Sequence, residues 1–405
     1  MLACAFVAFS ISAALLHAYT VFLVAFIDEF RWSRADTSLA YAASQLVSGF
    51  SAPLVGILVD RLGTRRLVLI GGLLLIVGLI GTAQITALWQ LILLYGVVMT
   101  LGANCLGLLV FVPLLSRLFE RRRGTAISIL QSGNGGARAV SAPAAQLAID
   151  AIGWRSTLLV EAGFIAVVIL PLAALFRHAD RRARRSSEPR SEPAAAISSV
   201  PPLPAMRPWT LREAVATRHF WLLFVVYMCT GLGSFFVSLH QLAFAVDQGF
   251  DKLYAAEVLG LGSLLGIVGV IATGTLSDYI GREWSAILAY GVSIAGVICA
   301  LFIHSPDQHL LLWLHACLFG ITWGARGPAV TAKTADLFAG PRLGAILGLI
   351  TVGTGLGSAI GAWGAGWIFD VSGSYRLAFM LSIASYTVGG IAFWGLRRPP
   401  RRRAD

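Results

Sequence analysis

Two arginines stand alone inside long apolar runs, at positions 138 and 326. Arg138 lies fourteen residues from the inner end of its run, about 21 Å at 1.5 Å per residue. Arg326 lies eleven from the inner end of its own, about 17 Å on the same rise. A guanidinium at that depth costs roughly 2.5–3.5 kcal/mol on insertion scales unless it faces water, a partner or a ligand. Its planar fork of N–H donors matches a carboxylate, so the chemistry these residues could do is anion recognition. Against this stands internal pairing, for instance Arg138 with Glu161. Arg326 has no acid in its own helix before Asp336, which favours a ligand there. His17, fifteen residues into the first apolar run, and Asn104, at similar depth in the fourth, could add hydrogen bonds to the same anion. His17 could also carry a coupling proton, with Glu161, Asp28, Glu29 and Glu257 as the other candidates. Asp28 and Glu29 fall at the water-facing end of their run, where solvated charges are the ordinary outcome. His240 lies nearer the outer end of its run, where a gate or a proton path could use it. Lys333, four residues from a helix end, can snorkel to the interface.

Glycines surround both arginines: Gly133, Gly135 and Gly136 precede Arg138, and Gly324, Gly327 and Pro328 flank Arg326. Pro328 lacks an N–H and leaves the Gly324 carbonyl without its helical donor, so a break beside Arg326 is expected. Small residues also serve ordinary close packing of membrane helices.

The elements that must position these side chains are membrane helices. The chain has 405 residues, 57% hydrophobic and 13% charged, with mean hydropathy +0.78. A soluble surface needs roughly 25% charged residues, so a soluble enzyme is excluded. The net charge of +11 comes from 29 Arg and 2 Lys placed between apolar runs, which is topology rather than a nucleic-acid groove. Five cysteines lie in apolar stretches without metal-ligand spacing, so neither a disulfide framework nor a metal site is expected. Runs long enough to span fall near 2–27, 39–60, 67–86, 88–115, 124–149 and 156–176, then 219–245, 254–276, 285–304, 309–337, 343–368 and 375–396. The first is too long for a removable signal peptide and reads as a membrane helix.

The expected organisation is an N-terminal six-helix bundle over 1–176, a linker over 177–215, a second bundle over 216–396 and a basic tail over 397–405. The linker is rich in Arg and carries six prolines between Pro189 and Pro208. It ends in Thr210-Leu-Arg-Glu213, a capping box for a short interfacial helix. Inner loops hold most of the arginines, whereas the outer loops hold Arg31, Arg34, Arg155, Lys252 and Arg376. That asymmetry places both termini in the cytoplasm of a multi-pass protein of the cytoplasmic (inner) membrane.

The two halves repeat one signal. Gly56-Ile-Leu-Val-Asp60-Arg61-Leu-Gly63-Thr-Arg65-Arg66 follows the second span, and Gly274-Thr-Leu-Ser-Asp278-Tyr-Ile-Gly281-Arg282-Glu283 follows the eighth. Glycine there permits close packing and a tight turn, and Asp and Arg can bridge a neighbouring helix end. A repeat at matching places implies duplicated halves.

At these residues the chain resembles the major facilitator superfamily, whose loop signature the first copy matches throughout. The resemblance covers the whole chain and implies an all-α integral membrane fold of twelve transmembrane helices in two pseudo-symmetric bundles. It implies that spans one, four, seven and ten line a central path, and that two, five, eight and eleven form the seam between halves. It also implies that the loop residues Gly56, Asp60, Arg61, Gly63, Arg65 and Arg66, with Gly274, Asp278, Gly281 and Arg282, act as a conformational latch. Phe30-Arg-Trp-Ser-Arg34, Arg122-Arg-Gly-Thr-Ala126, Gly153-Trp-Arg155 and Gly324-Ala-Arg-Gly-Pro328 look like the branch of monocarboxylate transporters and oxalate–formate antiporters. Spans eight and eleven lack the cations expected in the oxalate–formate relatives, since 258–277 and 343–369 hold no Lys or Arg.

These readings converge on a secondary carrier, not an enzyme, that moves a small monocarboxylate-like anion by alternating access, with proton coupling and without a cofactor. Its other partner is the bilayer. No Walker loop or catalytic triad is present. Export of a drug or larger metabolite is the alternative carrier reading, and a transporter-like receptor or sensor is the alternative of another class.

Overall fold

The computed structural model describes residues 1–118, 123–186, 209–338 and 343–397. Among these, nine helices are long and apolar enough to cross a bilayer. One of them, Ile129–Phe176, runs 48 residues. At 1.5 Å per residue that is about 72 Å, more than two crossings of a core about 30 Å thick. Gly153 divides it at φ 79°, ψ 156°, a backbone region that only glycine occupies without strain. Two further helical crossings, Arg34–Leu62 and a broken one over 309–337, complete twelve. They are called spans one to twelve in chain order below.

Spans one (Leu2–Phe30), two (Arg34–Leu62), three (Thr64–Thr82), eight (Lys252–Ile280), nine (Arg282–Leu301), eleven (Leu343–Ser372) and twelve (Arg376–Trp394) are continuous helices. Spans five and six are the arms on either side of Gly153. Three spans are interrupted. Span four (88–118) contains the π-helical stretch Ile92–Met99 and a turn at 106–107. Span seven breaks at His240, between Arg218–Ser238 and Gln241–Asp247. Span ten breaks between His309–Ile321 and Arg326–Leu337, where Gly324 adopts φ 76°. The break expected beside Pro328 is therefore present, with one difference. The Gly324 carbonyl is not left free, because the Gly327 amide donates to it at 3.0 Å in a tighter turn.

The sixth span continues as helix to Ser186, ten residues past its expected end, while the Pro-rich stretch 187–208 lies outside the described residues. Beyond it the capping box forms. The Glu213 amide donates to Thr210 Oγ1 at 3.2 Å, the Thr210 amide donates to Glu213 Oε2 at 2.9 Å, and the helix Leu211–Val215 follows.

The repeated loops adopt the same turn. Gly63 ends span two and opens span three at φ 81°, ψ 161°; Gly281 joins spans eight and nine at φ 89°, ψ 157°. That region is essentially closed to residues with a Cβ. Gly153, between spans five and six, has the same geometry, so this turn recurs at three helix-to-helix junctions.

The halves meet where span two packs on span eleven and span five on span eight. The contact is tight toward the face opposite the chain's N-terminal end, called the distal face here. A Cβ on Gly366 would lie 2.7 Å from the Arg34 carbonyl, and one on Gly260 2.5 Å from that of Ala139. In the other halves of these helices a Cβ on Gly49, Gly56, Gly274 or Gly348 would meet no described atom within 4 Å. Gly56 and Gly274 therefore make no close packing contact with the described residues.

Candidate functional site

Between the halves lies a cavity of about 40 Å³, lined by spans one, two, five, seven, eight and ten. Arg138 reaches it from span five and His17 from span one, so the structure brings together two residues 121 positions apart in sequence. Arg138 is buried at 9% exposure. Its guanidinium carbon sits 3.6 Å from the centroid of the Trp323 ring, which belongs to the opposite half. Its Nη1 has no hydrogen-bond partner among the described residues, and the cavity lining contains no Asp or Glu. The alternative pairing of Arg138 with Glu161 is not among the described ion pairs. Glu161 is half-buried on span six.

His17 Nε2 faces Asn134 Oδ1 at 3.2 Å. An amide oxygen only accepts, so Nε2 carries the proton and Nδ1 is the free acceptor of the neutral ring. Asn134 was not singled out from the sequence, yet it lies four residues before Arg138 and so on the same helix face. Its signal was present. Trp323 and Tyr41 gave none beyond ordinary apolar spacing, because their part depends on how the halves dock.

Arg326 is placed differently. It opens the second arm of span ten, 3% exposed, with Nη1 donating to Ser293 Oγ at 2.5 Å and Nη2 to Ser234 Oγ at 3.3 Å. The rings of Tyr386 and Tyr290 lie 4.7 and 5.1 Å from its guanidinium carbon. No carboxylate pairs with it among the described residues, and its Nε is without a partner. It sits within the C-terminal half and is not part of the cavity lining. Arg326 is thus outside the lining that Arg138 and His17 share, although Trp323, on which Arg138 stacks, lies three residues before it in the chain.

Asn104 does not line the cavity either. It donates to Ser51 Oγ at 2.7 Å and accepts from Ser48 Oγ at 3.2 Å, tying span four to span two. In place of span four, spans two, five and eight contribute cavity wall. Asp28 pairs with Lys252 at 2.9 Å, an ion pair between halves, and Glu29 accepts from Trp154 and Arg155. Glu257 is exposed on span eight. Lys333 pairs at 2.8 Å with Glu283, in the first turn of span nine beside the loop glycine Gly281. In the second loop Arg282 donates to Ser277 Oγ at 2.8 Å and approaches Asp336 at 3.7 Å, both within its own half. Arg61 and Arg66 are exposed, Arg65 is half-buried, and the side chains of Asp60 and Asp278 lie outside the described residues. Among the described residues no group of three His, Cys, Asp or Glu could hold a metal ion.

Two helical bundles docked around a central cavity, with helix-to-helix turns repeated between them, define a membrane carrier fold. The Major Facilitator Superfamily profile matches residues 1–332, and the chain belongs to that superfamily of transporters. It is 26% identical over 390 residues to rat monocarboxylate transporter 13, covering 92% of this chain and 83% of that protein. It is likewise 26% identical over 415 residues to mouse monocarboxylate transporter 11, covering 98% and 86%. A crystal structure of the nucleoside transporter NupG, in a mutant form, superposes with a TM-score of 0.75 at 12% identity, covering 98% of this chain and 99% of that one. At that identity the likeness concerns the fold alone.

Proposed function

We propose that this protein carries a small monocarboxylate-like anion across the membrane by alternating access, coupled to a proton. The observation that carries the reading is the unpartnered Nη1 of Arg138, a buried guanidinium facing a cavity without acids. A carboxylate in the cavity would supply the missing acceptor and the missing charge together. The lining acids that a cationic drug would need are absent from this cavity. The kinship with monocarboxylate transporters points the same way. Arg138 is the first anion contact in this reading. His17 stands beside it as hydrogen-bond partner and proton carrier. Arg326 is a second anion anchor, whose serine partners offer acceptors but no negative charge. Asn104 serves by bracing span four against span two. The repeated loops, with Asp60 and Asp278, act as the latch on the face opposite the distal one. With the termini in the cytoplasm, as the loop arginines suggest, the distal face is the outside of the cytoplasmic membrane.

The test is uptake of labelled carboxylates into proteoliposomes, with and without a pH gradient, by the wild type and by Arg138→Ala. Uptake of a monocarboxylate that rises with an inward proton gradient and is lost in the variant supports the proposal. Uptake of cationic compounds but of no carboxylate overturns it.

A further inference from the structure

At the distal face one residue joins the halves through four separate contacts. Arg34, the first helical residue of span two, donates from Nη2 to Asp247 Oδ1 at 2.7 Å, at the end of span seven. Its Nη1 donates to the Tyr375 hydroxyl at 2.6 Å, just before span twelve. Its backbone amide and that of Ala35 donate to the two oxygens of Asp370, at 3.0 and 2.7 Å. Asp370 belongs to span eleven, so a carboxylate of one half caps the free N-terminal amides of a helix in the other, where the helix dipole also favours it. The guanidinium lies 3.9 Å from the Phe369 ring centroid as well. Lys252 and Asp28 add a second ion pair between halves at this face.

Behind Arg34 the hydrogen bonds run on inward. His240 Nε2 lies 2.9 Å from the Ala362 carbonyl, which can only accept, so Nε2 holds the proton. Nδ1 then accepts from the Tyr375 hydroxyl at 3.2 Å, while that hydroxyl accepts from Arg34. Each donor points one way, from Arg34 through Tyr375 and His240 to Ala362, with Ser38 Oγ of span two a second neighbour of Nε2 at 3.3 Å. His240 is fully buried, and it marks the break in span seven between the long inner arm and the short outer one that ends in Asp247.

We propose that His240 is a proton-binding site built into this distal gate, and that its protonation favours parting of the halves there. The inference rests on the transport reading for its purpose, but not for its geometry. In the joined form a proton on Nδ1 would reverse the Tyr375 bond. It would also set a fully buried imidazolium one hydroxyl away from the Arg34 guanidinium. Once the halves part, Arg34 leaves with span two, whereas His240, Tyr375, Asp247 and Asp370 all stay on the C-terminal half. The charged and titratable groups facing His240 then change from a cation with two carboxylates to the carboxylates, the tyrosine and water. The proton is disfavoured in the first setting and favoured in the second, so acid on the distal side shifts the population toward the open form. A tenfold preference of the proton for the open form shifts that population by at most tenfold, reached only when both forms are fully protonated.

The amides of Arg34 and Ala35 report the gate, because opening strips them of Asp370. Hydrogen exchange of the peptide over 33–38 is measured in lipid nanodiscs without substrate, at pH 7.5 and 5.5. Rates are normalised to the intrinsic exchange rate at each pH. The wild type is expected to lose protection severalfold at the lower pH, up to about tenfold. His240→Gln and His240→Asn should hold the same protection at both, and Arg34→Ala, which keeps the backbone donors but loses the Asp247 and Tyr375 bonds, should be less protected than the wild type at both. The peptide over 67–79 in span three and the melting temperature control for folding. Two buried-site variants are used so that misfolding of one leaves the other to decide. Wild-type protection that ignores pH overturns the proposal, as does an acid response that survives in the His240 variants. Failure of carboxylate uptake would overturn the transport reading while leaving this result standing, since the exchange measurement contains no substrate.

Discussion

Arg138 of the N-terminal half lies face-on to Trp323 of the C-terminal half, 3.6 Å from ring centroid to guanidinium carbon. Across the seam the cation is held by a π-face rather than by a carboxylate. Such a contact is worth about 0.5–2 kcal/mol, less than a desolvated guanidinium–carboxylate pair. A cation held this way keeps donor capacity for an arriving anion.

Truncating Arg138 should therefore remove binding. Arg138→Ala is expected to lose roughly 2–5 kcal/mol of carboxylate affinity, the usual cost of deleting one partner of a buried charged pair. Arg138→Lys keeps the charge without the fork and should bind measurably more weakly. Affinity in purified protein, read beside a melting curve, checks both. The same pair at Arg326 tells the two cations apart. If Arg326 is the main anchor, Arg326→Lys weakens binding more than Arg138→Lys does.

Replacing Trp323 tests the face-on contact from the other half. Trp323→Leu removes the π-face and should lower the melting point of the unliganded protein by an amount corresponding to about 0.5–2 kcal/mol. Because Arg138 then lacks its partner in the empty state, a bound carboxylate should stabilise this variant more than the wild type. Equal ligand-induced shifts in the two proteins would count against competition between ring and anion.

His17→Gln can keep a hydrogen bond to Asn134 but cannot take up a proton. Uptake by this variant is expected to lose part of its dependence on pH while the protein remains folded. Should the uptake profile follow that of the wild type between pH 5 and 8, His17 is a structural group only.

The two loop glycines should be intolerant for a backbone reason alone. Gly63→Ala and Gly281→Ala each place a Cβ in a region of φ and ψ that costs about 1–3 kcal/mol. Thermal unfolding in detergent should show destabilisation for both, of similar size, since the two turns share one geometry. A neutral result at either would mean that the loop relaxes to another conformation.

The sequence by itself determined the solvent, the element type, the number of crossings and the duplication. Apolar run length fixes a helix against a bilayer of given thickness, and a Gly-centred motif imposes a turn that only glycine can make. It also marked Arg138, Arg326 and His17, since an ionisable group at membrane depth stands out in one dimension. What it left open was which of these face one another. Depth along a helix is readable from residue counts, but azimuth and docking depend on packing between helices far apart in the chain. Only the tertiary structure set Arg138 with His17 and Trp323 in one cavity, placed Arg326 among the serines of a single bundle, and turned Asn104 toward span two. It alone showed Arg34, an ordinary loop cation by its position, as the residue that clasps Asp247, Asp370 and Tyr375. Those partners lie more than 200 positions away in sequence. Contacts between halves carry no local signature, because they are made by side chains whose neighbours in sequence point into different surroundings.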